Sequence, residues 1–344
     1  MKVGIIGATG YGGLELVRLL SSHPAVQEIQ LFTSSEEGIS FSAKYPHLTT
    51  LYDQPLEAIT KEAIAQLDVV FLGTPSGISG QLIPEIYNEQ TVFIDLSGDL
   101  RLKNIENYEN WYGKKAAPQG LVNRSVYGLC GWNDAAIKEA QVIANPGCYP
   151  TATLLSILPL LQKGLVKHHN IIIDAKSGVS GSGNKPSQMT HFTETTEATT
   201  IYKINQHQHI PEIEQAIELF TGKVEPITFS THLVPMIRGI ITTSYLQVES
   251  GVTEEQLYRA YEDVYADDPF IRIVPGVQKL STNQVRGTNY CDITINLDAR
   301  TNRLTVVAVI DNLVKGAAGQ AIQNMNKIMG YEEQAGLKQV PLFI

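Results

Sequence analysis

Val3–Ile6, Ile29–Phe32, Val69–Leu72 and Val92–Leu96 are short apolar runs set between polar or glycine-rich stretches. Such runs suit strands buried on both faces of a parallel sheet. Between some of them, Gly12–Ser21 and Ser76–Tyr87 carry apolar residues at helical spacing, which predicts strand–helix–strand units with right-handed crossovers. Ser97–Trp132 mixes polar and aromatic residues with Gly and Pro and reads as mostly loop on a functional edge. After Asn145-Pro146-Gly147 the texture changes. A helix at about Cys148–Gly164 leads to a strand at Ile171–Lys176 and a Gly/Ser loop. Strands then dominate, at Ile227–Val234, Ile240–Val248, Ile271–Val274, Asp292–Leu297 and Leu304–Ile310. Few helices among them point to an α+β unit with a largely antiparallel or mixed sheet, suited to a dimer interface. A last helix, Asn312 to about Met329, is expected to pack back on the first unit.

Composition narrows the function. The chain has 344 residues, enough for two domains, with 43% hydrophobic and 18% charged residues. A formal net charge of −9 argues against nucleic-acid binding, yet permits an anionic substrate held by a few local cations. The first strand begins beside Met1, leaving no room for a cleavable signal peptide, and no apolar run approaches the roughly 20 residues that span a bilayer. Cys130, Cys148 and Cys291 form no CxxC pair and are odd in number. The expectation is a reduced cytoplasmic protein with neither a disulfide framework nor a metal site.

Gly7-Ala8-Thr9-Gly10-Tyr11-Gly12-Gly13 directly follows the first strand and opens a helix. Its glycines allow a dinucleotide pyrophosphate to approach the backbone and sit on the helix N-terminus, so the first unit is expected to be Rossmann-type. Gly7, Thr9, Gly10, Tyr11, Gly12 and Gly13 are the candidate cofactor contacts. After the second strand stand Thr33-Ser34-Ser35, hydroxyls where a carboxylate would bond the ribose of NAD; Ser34 and Ser35 therefore point to NADP(H), with Glu36 close by as the doubt.

In Asn145-Pro146-Gly147-Cys148-Tyr149-Pro150-Thr151, Gly147 makes a turn and Cys148 lands at the head of an apolar helix. The helix dipole and unbonded amides there favour the thiolate, the nucleophilic form. Cys130 and Cys291 lack that setting and read as small buried hydrophobes.

The segments GATGYGG, NPGCYPTA, HQHIPEIE and DNLVKGAAGQA, in order along the whole chain, resemble the N-acetyl-γ-glutamyl-phosphate reductases, relatives of aspartate-semialdehyde dehydrogenase. The resemblance implies NADPH-dependent, reversible reductive dephosphorylation of an acyl phosphate in arginine biosynthesis, by a two-domain subunit in a homodimer or homotetramer. It divides the chain into an NADP-binding domain, 1–147 plus 312–344, and a catalytic and oligomerisation domain, 148–311. Thioester chemistry at Cys148 needs a proton carrier, and His207-Gln208-His209-Ile210-Pro211-Glu212 supplies two histidines on the loop entering a helix. His209 is favoured as the one inside the HxPEI core, with His207 as the alternate. Arg101 falls in the family's DLSxDFRL pattern, with Leu100 for the aromatic, and is assigned the phosphate; Arg238 is a second candidate for phosphate or carboxylate. Ser177, Gly178, Ser180 and Gly181 match the family's SGxSGAG loop near the cofactor, and Asn312 resembles the residue that holds the nicotinamide end. Where the family commonly has Glu after VYGL, this chain continues Cys130-Gly131. A reductase of aspartyl phosphate or carrier-linked aminoadipyl phosphate, and a non-catalytic NADP-binding regulator, remain the alternatives.

Overall fold

The computed structural model describes residues 1–276 and 280–343. Backbone proximity separates the chain into two units, Met1–Pro146 with Ala317–Leu337, and Gly147–Gly316 with the tail from Lys338.

The first unit is an all-parallel sheet of β1 (Lys2–Ile6), β2 (Glu28–Thr33), β3 (Glu57–Ala58), β4 (Val69–Leu72), β5 (Val92–Asp95), β6 (Val126–Tyr127) and β7 (Val142–Ala144). Their order across the sheet is β3-β2-β1-β4-β5-β7-β6. The chain reverses direction across β1 and β4, the place in open α/β sheets where ligands gather beyond the strand ends. Every residue of β4 is buried, which explains why its sequence shows no polar alternation. The helix Tyr11–Leu20 follows β1 as expected.

The stretch 97–132, expected to be mostly loop, instead carries helices Ile105–Tyr112 and Gln119–Arg124 and strand β6. The signal was there: Asn104 caps the first helix by accepting from the amides of Glu106 and Asn107.

The second unit is a mixed sheet of β8 (Ile172–Ser177), β9 (Thr200–Tyr202), β10 (Thr228–Leu233), β11 (Ile240–Gln247), β12 (Ile271–Ile273), β13 (Cys291–Asp298) and β14 (Arg303–Ile310), in the order β12-β13-β14-β11-β8-β10-β9. β8 pairs with β10 and β12 with β13 in parallel; the other pairs are antiparallel. Alternate residues of β8 and β11 are buried, and the helices Cys148–Gln162 and Glu254–Tyr265 pack in the same unit. The second of those helices was not anticipated, although Thr253 and Gln256 form a capping box at its start.

The C-terminal helix also differs. It runs from Gly319 to Met329, preceded by a π-helical turn at Val314–Ala318, so Asn312 is not its N-cap. Asp311 accepts from the amides of Leu313 and Val314, where the π-helical turn begins. The helix rejoins the first unit through buried polar side chains. Asn326 bonds the His23 ring at 2.8 Å, Asn324 donates to the carbonyl of Gly128, and Lys327 pairs with Asp134.

Candidate active site

Cys148 is the first residue of a 15-residue helix whose other members are almost all buried. Gly147, at the N-cap, supplies no side chain to bond the helix amides, which leaves the positive end of the dipole facing the cysteine. The amide of Gly147 itself donates to Oε1 of Glu212 at 2.7 Å. Glu212 is fully buried in the helix His209–Thr221, and its Oε2 stands 4.0 Å from Nε2 of His209. One carboxylate thus joins the turn before the nucleophile to a histidine. Sequence reasoning used Glu212 only as a marker of helix start; its identity in the HxPE run was the available signal.

The two histidines part company here. His209 is the first residue of its helix, not part of the loop before it, because Pro211 occupies the third helical position with its φ already suited to the first turn. His207 lies in the loop and is buried among the rings of Tyr149, Tyr202 and Phe229. Its Nδ1 accepts the amide proton of His209 at 3.1 Å. Burial, helped by the charge of Lys203, pulls His207 down to about 3, so it is neutral at neutral pH. The hydroxyls of Tyr149 and Tyr202 bond each other at 3.0 Å. Burial and the neighbouring phenol push Tyr149 well above the usual range, and burial pushes Tyr202 to about 12, so both stay protonated.

Gly316, in the π-helical turn, lies against the nucleophile: a Cβ on it would stand 2.8 Å from Cβ of Cys148. Of the SGVSGSG loop, Gly178 packs so that a Cβ would meet the carbonyl of Ile237 at 2.7 Å. Asn312 ties this loop down. Its side chain donates to Oγ of Ser180 at 3.0 Å and accepts from the amide of Gly239 at 2.7 Å. Gly181 lies beside Ser177, whose hydroxyl bonds the carbonyl of Gly178. Arg238 forms a forked pair with the fully buried Asp311, with Nε 3.0 Å from Oδ2 and Nη2 3.0 Å from Oδ1. That edge of its guanidinium is therefore committed.

In the first unit, Arg101 is nearly buried and donates through Nε to the carbonyl of Asn145 at 2.7 Å and through Nη2 to that of Leu96 at 3.1 Å. It braces the segment that leads, three positions on, to Cys148. Asp99 is engaged elsewhere, by the amides of Gly77 and Gly80 and the hydroxyl of Tyr108. Asp95, at the end of β5, is fully buried, and burial with the Asp99 charge lifts it to about 6.

The glycine loop fits a dinucleotide. Gly7 sits at φ +83°, and a Cβ there would strike the carbonyl of Gly73 at 2.7 Å. A Cβ on Gly13 would meet the carbonyl of Gly7 at 2.5 Å, whereas one on Gly12 would point into open space. Gly10 caps the helix without a side-chain bond to its first amides, beside Thr9 and the exposed Tyr11. An anion can reach those amides. Thr33, Ser34 and Ser35 line a surface pocket with Glu37, Ala58 and Ile59, while Glu36 is held by Lys44 at 2.5 Å.

Cys130 and Cys291 are buried, and Cys130 donates to Oδ1 of Asn324. Among the described residues no helix is long and apolar enough to cross a membrane.

Comparison with known proteins follows the same division. The model of the semialdehyde dehydrogenase NAD binding domain matches residues 2–140, and that of the semialdehyde dehydrogenase dimerisation domain matches 148–312. The chain is 52% identical over 344 residues to an N-acetyl-gamma-glutamyl-phosphate reductase of Halalkalibacterium halodurans, covering all of both proteins. It is 50% identical over 344 residues to that of Bacillus subtilis, again covering all of both. Solved structures with the same fold include aspartate semialdehyde dehydrogenase II of Vibrio cholerae complexed with ASA, with a TM-score of 0.71 and 17% identity over 96% of this chain and 98% of that one. Aspartate semialdehyde dehydrogenase of Candida albicans with NADP gives a TM-score of 0.67 at 16% identity, over 97% and 98% of the two chains.

Proposed function

The chain belongs to the N-acetyl-gamma-glutamyl-phosphate reductase family, and from that premise we propose how its residues divide the work of reducing an acyl phosphate to an aldehyde. It is an NADP(H)-dependent oxidoreductase of arginine biosynthesis, interconverting N-acetyl-γ-glutamyl phosphate and N-acetyl-L-glutamate 5-semialdehyde. The observation that carries the mechanism is Cys148 at a helix start, with Glu212 bonded to the preceding amide and facing His209.

His209 takes the thiol proton, and the Cys148 sulfur attacks the acyl carbon. A C–S bond forms, the C–O bond to phosphate breaks, and the departing oxygen receives that proton. NADPH, when bound, supplies the hydride that reduces the thioester carbon. The C–S bond then breaks, the aldehyde leaves, and sulfur regains a proton from solvent. His207, buried and neutral, holds the His209 backbone; its low affinity for a proton makes it unfit as the carrier at neutral pH. Arg101 is assigned the phosphate, and Arg238, oriented by Asp311, the substrate's carboxylate. Gly7, Thr9, Gly10, Tyr11, Gly12, Gly13, Ser34 and Ser35 hold the adenosine and pyrophosphate; Ser177, Gly178, Ser180, Gly181 and Asn312 hold the nicotinamide end.

The units are an NADP-binding domain and a catalytic and oligomerisation domain, and the second makes the enzyme a homodimer or a homotetramer built from dimers. Three cysteines outside any disulfide fit a cytoplasmic setting. Cys148→Ser should lower phosphate-dependent NADP⁺ reduction by N-acetylglutamate semialdehyde at least ~10³-fold, with NADP⁺ affinity kept. Activity that survives this change would refute the thioester route.

A further inference from the structure

The turn after β2 poses a charge problem. Its hydroxyls, Thr33, Ser34 and Ser35, suit a 2′-phosphate, but Glu36 and Glu37 come next and Glu37 lines the same pocket. A phosphate monoester carries about −1.5 to −2 charges at neutral pH, so two adjacent carboxylates repel it unless a cation intervenes. Hydroxyls donate hydrogen bonds but no compensating charge.

The segment after that turn supplies a cation. Phe41 is fully buried and packs edge-to-face on Tyr45, with ring centroids 5.3 Å apart. The Tyr45 hydroxyl donates to the carbonyl of Thr9, in the glycine loop, at 2.9 Å. These contacts fix the backbone of Lys44 next to the loop that cradles the pyrophosphate. The Lys44 side chain reaches Glu36, beside that turn, with Nζ 2.5 Å from Oε1. Lys44 therefore stands between the loop that takes the pyrophosphate and the turn that takes the ribose.

We propose that Lys44 is the residue that reads the adenosine 2′-phosphate and sets the preference for NADP(H) over NAD(H). The inference rests on the NADP(H) reading. Glu36 acts as a tether. It holds the ammonium over the turn and is itself neutralised there, so the residue that looked like a ribose-binding acid is turned to the opposite use. An ammonium has three N–H donors, so it can keep Glu36 and still bond a phosphate oxygen.

Calorimetric binding of 2′,5′-ADP and 5′-ADP tests this without turnover. Wild type should bind 2′,5′-ADP the more tightly. Lys44→Met should erase about 10- to 100-fold of that advantage while 5′-ADP binds as before, and Lys44→Arg should retain most of it. The ratio of kcat/KM for NADPH to that for NADH should fall in parallel. An undiminished advantage in Lys44→Met, or equal weakening of both nucleotides, would overturn the assignment while leaving NADP(H) use intact. A wild type with no preference for 2′,5′-ADP would overturn the cofactor reading as well.

Discussion

Glu212 shows how much one buried carboxylate can set. Its Oε1 takes the amide before Cys148 and its Oε2 faces His209, so replacing it acts on both partners. Glu212→Gln keeps an acceptor for Gly147 but removes the charge that steadies a protonated His209; kcat should drop about 10- to 100-fold with the thermal midpoint little changed. Glu212→Ala also strands a buried N–H, at about 1–3 kcal/mol, so the midpoint should fall as well. Equal midpoints for the two variants would show that the Gly147 bond carries no stability. His207 makes a different demand. Its folded pKa of about 3 lies below the ordinary value, so the unfolded chain binds a proton first as pH falls. The contribution is whole above about 6.5 and drains away toward 3. Wild type should therefore lose more thermal stability between pH 7.5 and pH 5 than His207→Gln does; an identical loss would show that His207 is not the acid-sensitive group. The sequence made the turn and helix start at Cys148 legible, because both are local events. It could not separate His207 from His209. Two positions apart in the chain, they differ only in what packs around them.

Among elements, the long strands were legible within a residue or two, since unbroken apolar runs such as Val69–Leu72 have few alternatives. The short strands β3, β6, β7 and β9 were not, because two or three residues show no period and owe their conformation to a neighbour already in place. The turn Val314–Ala318 was read as ordinary helix for a related reason: one extra residue in the ladder leaves the apolar pattern almost unchanged. Its purpose shows only in three dimensions, where Gly316 lies against Cys148. Gly316→Ala should push the nucleophile out of line, lowering kcat about 10- to 100-fold while NADP⁺ affinity stays constant. A normal kcat would mean the turn can give way without moving the sulfur.

For the whole molecule, the second sheet offers a surface for assembly. One face of β8, β11 and β14 is buried; the other, with Asp174, Lys176, Thr243, Tyr245, Thr305 and Val307, is partly exposed. Asp174 and Lys176 pair on that face and Tyr245 and Val307 add apolar surface, which suits a self-complementary interface about a twofold axis. Val307→Glu sets an unpaired charge beside Thr243 in the middle of the face, and sedimentation should then show a shift toward the monomer. An unaltered sedimentation coefficient would place the interface elsewhere.

The order in which the chain visits its two units also bears on its birth at the ribosome. Gly147–Gly316 emerges as one stretch, but the first unit is finished only when Ala317–Leu337 appears, bringing Asn324 to Gly128 and Asn326 to His23. At about 5–20 residues per second, some 170 intervening residues impose a wait of roughly 10–30 s. During that time the nucleotide-binding sheet stands with the seat of its last helix uncovered. The second unit waits longer still for its own tail from Lys338, so the first is the earlier of the two to be completed.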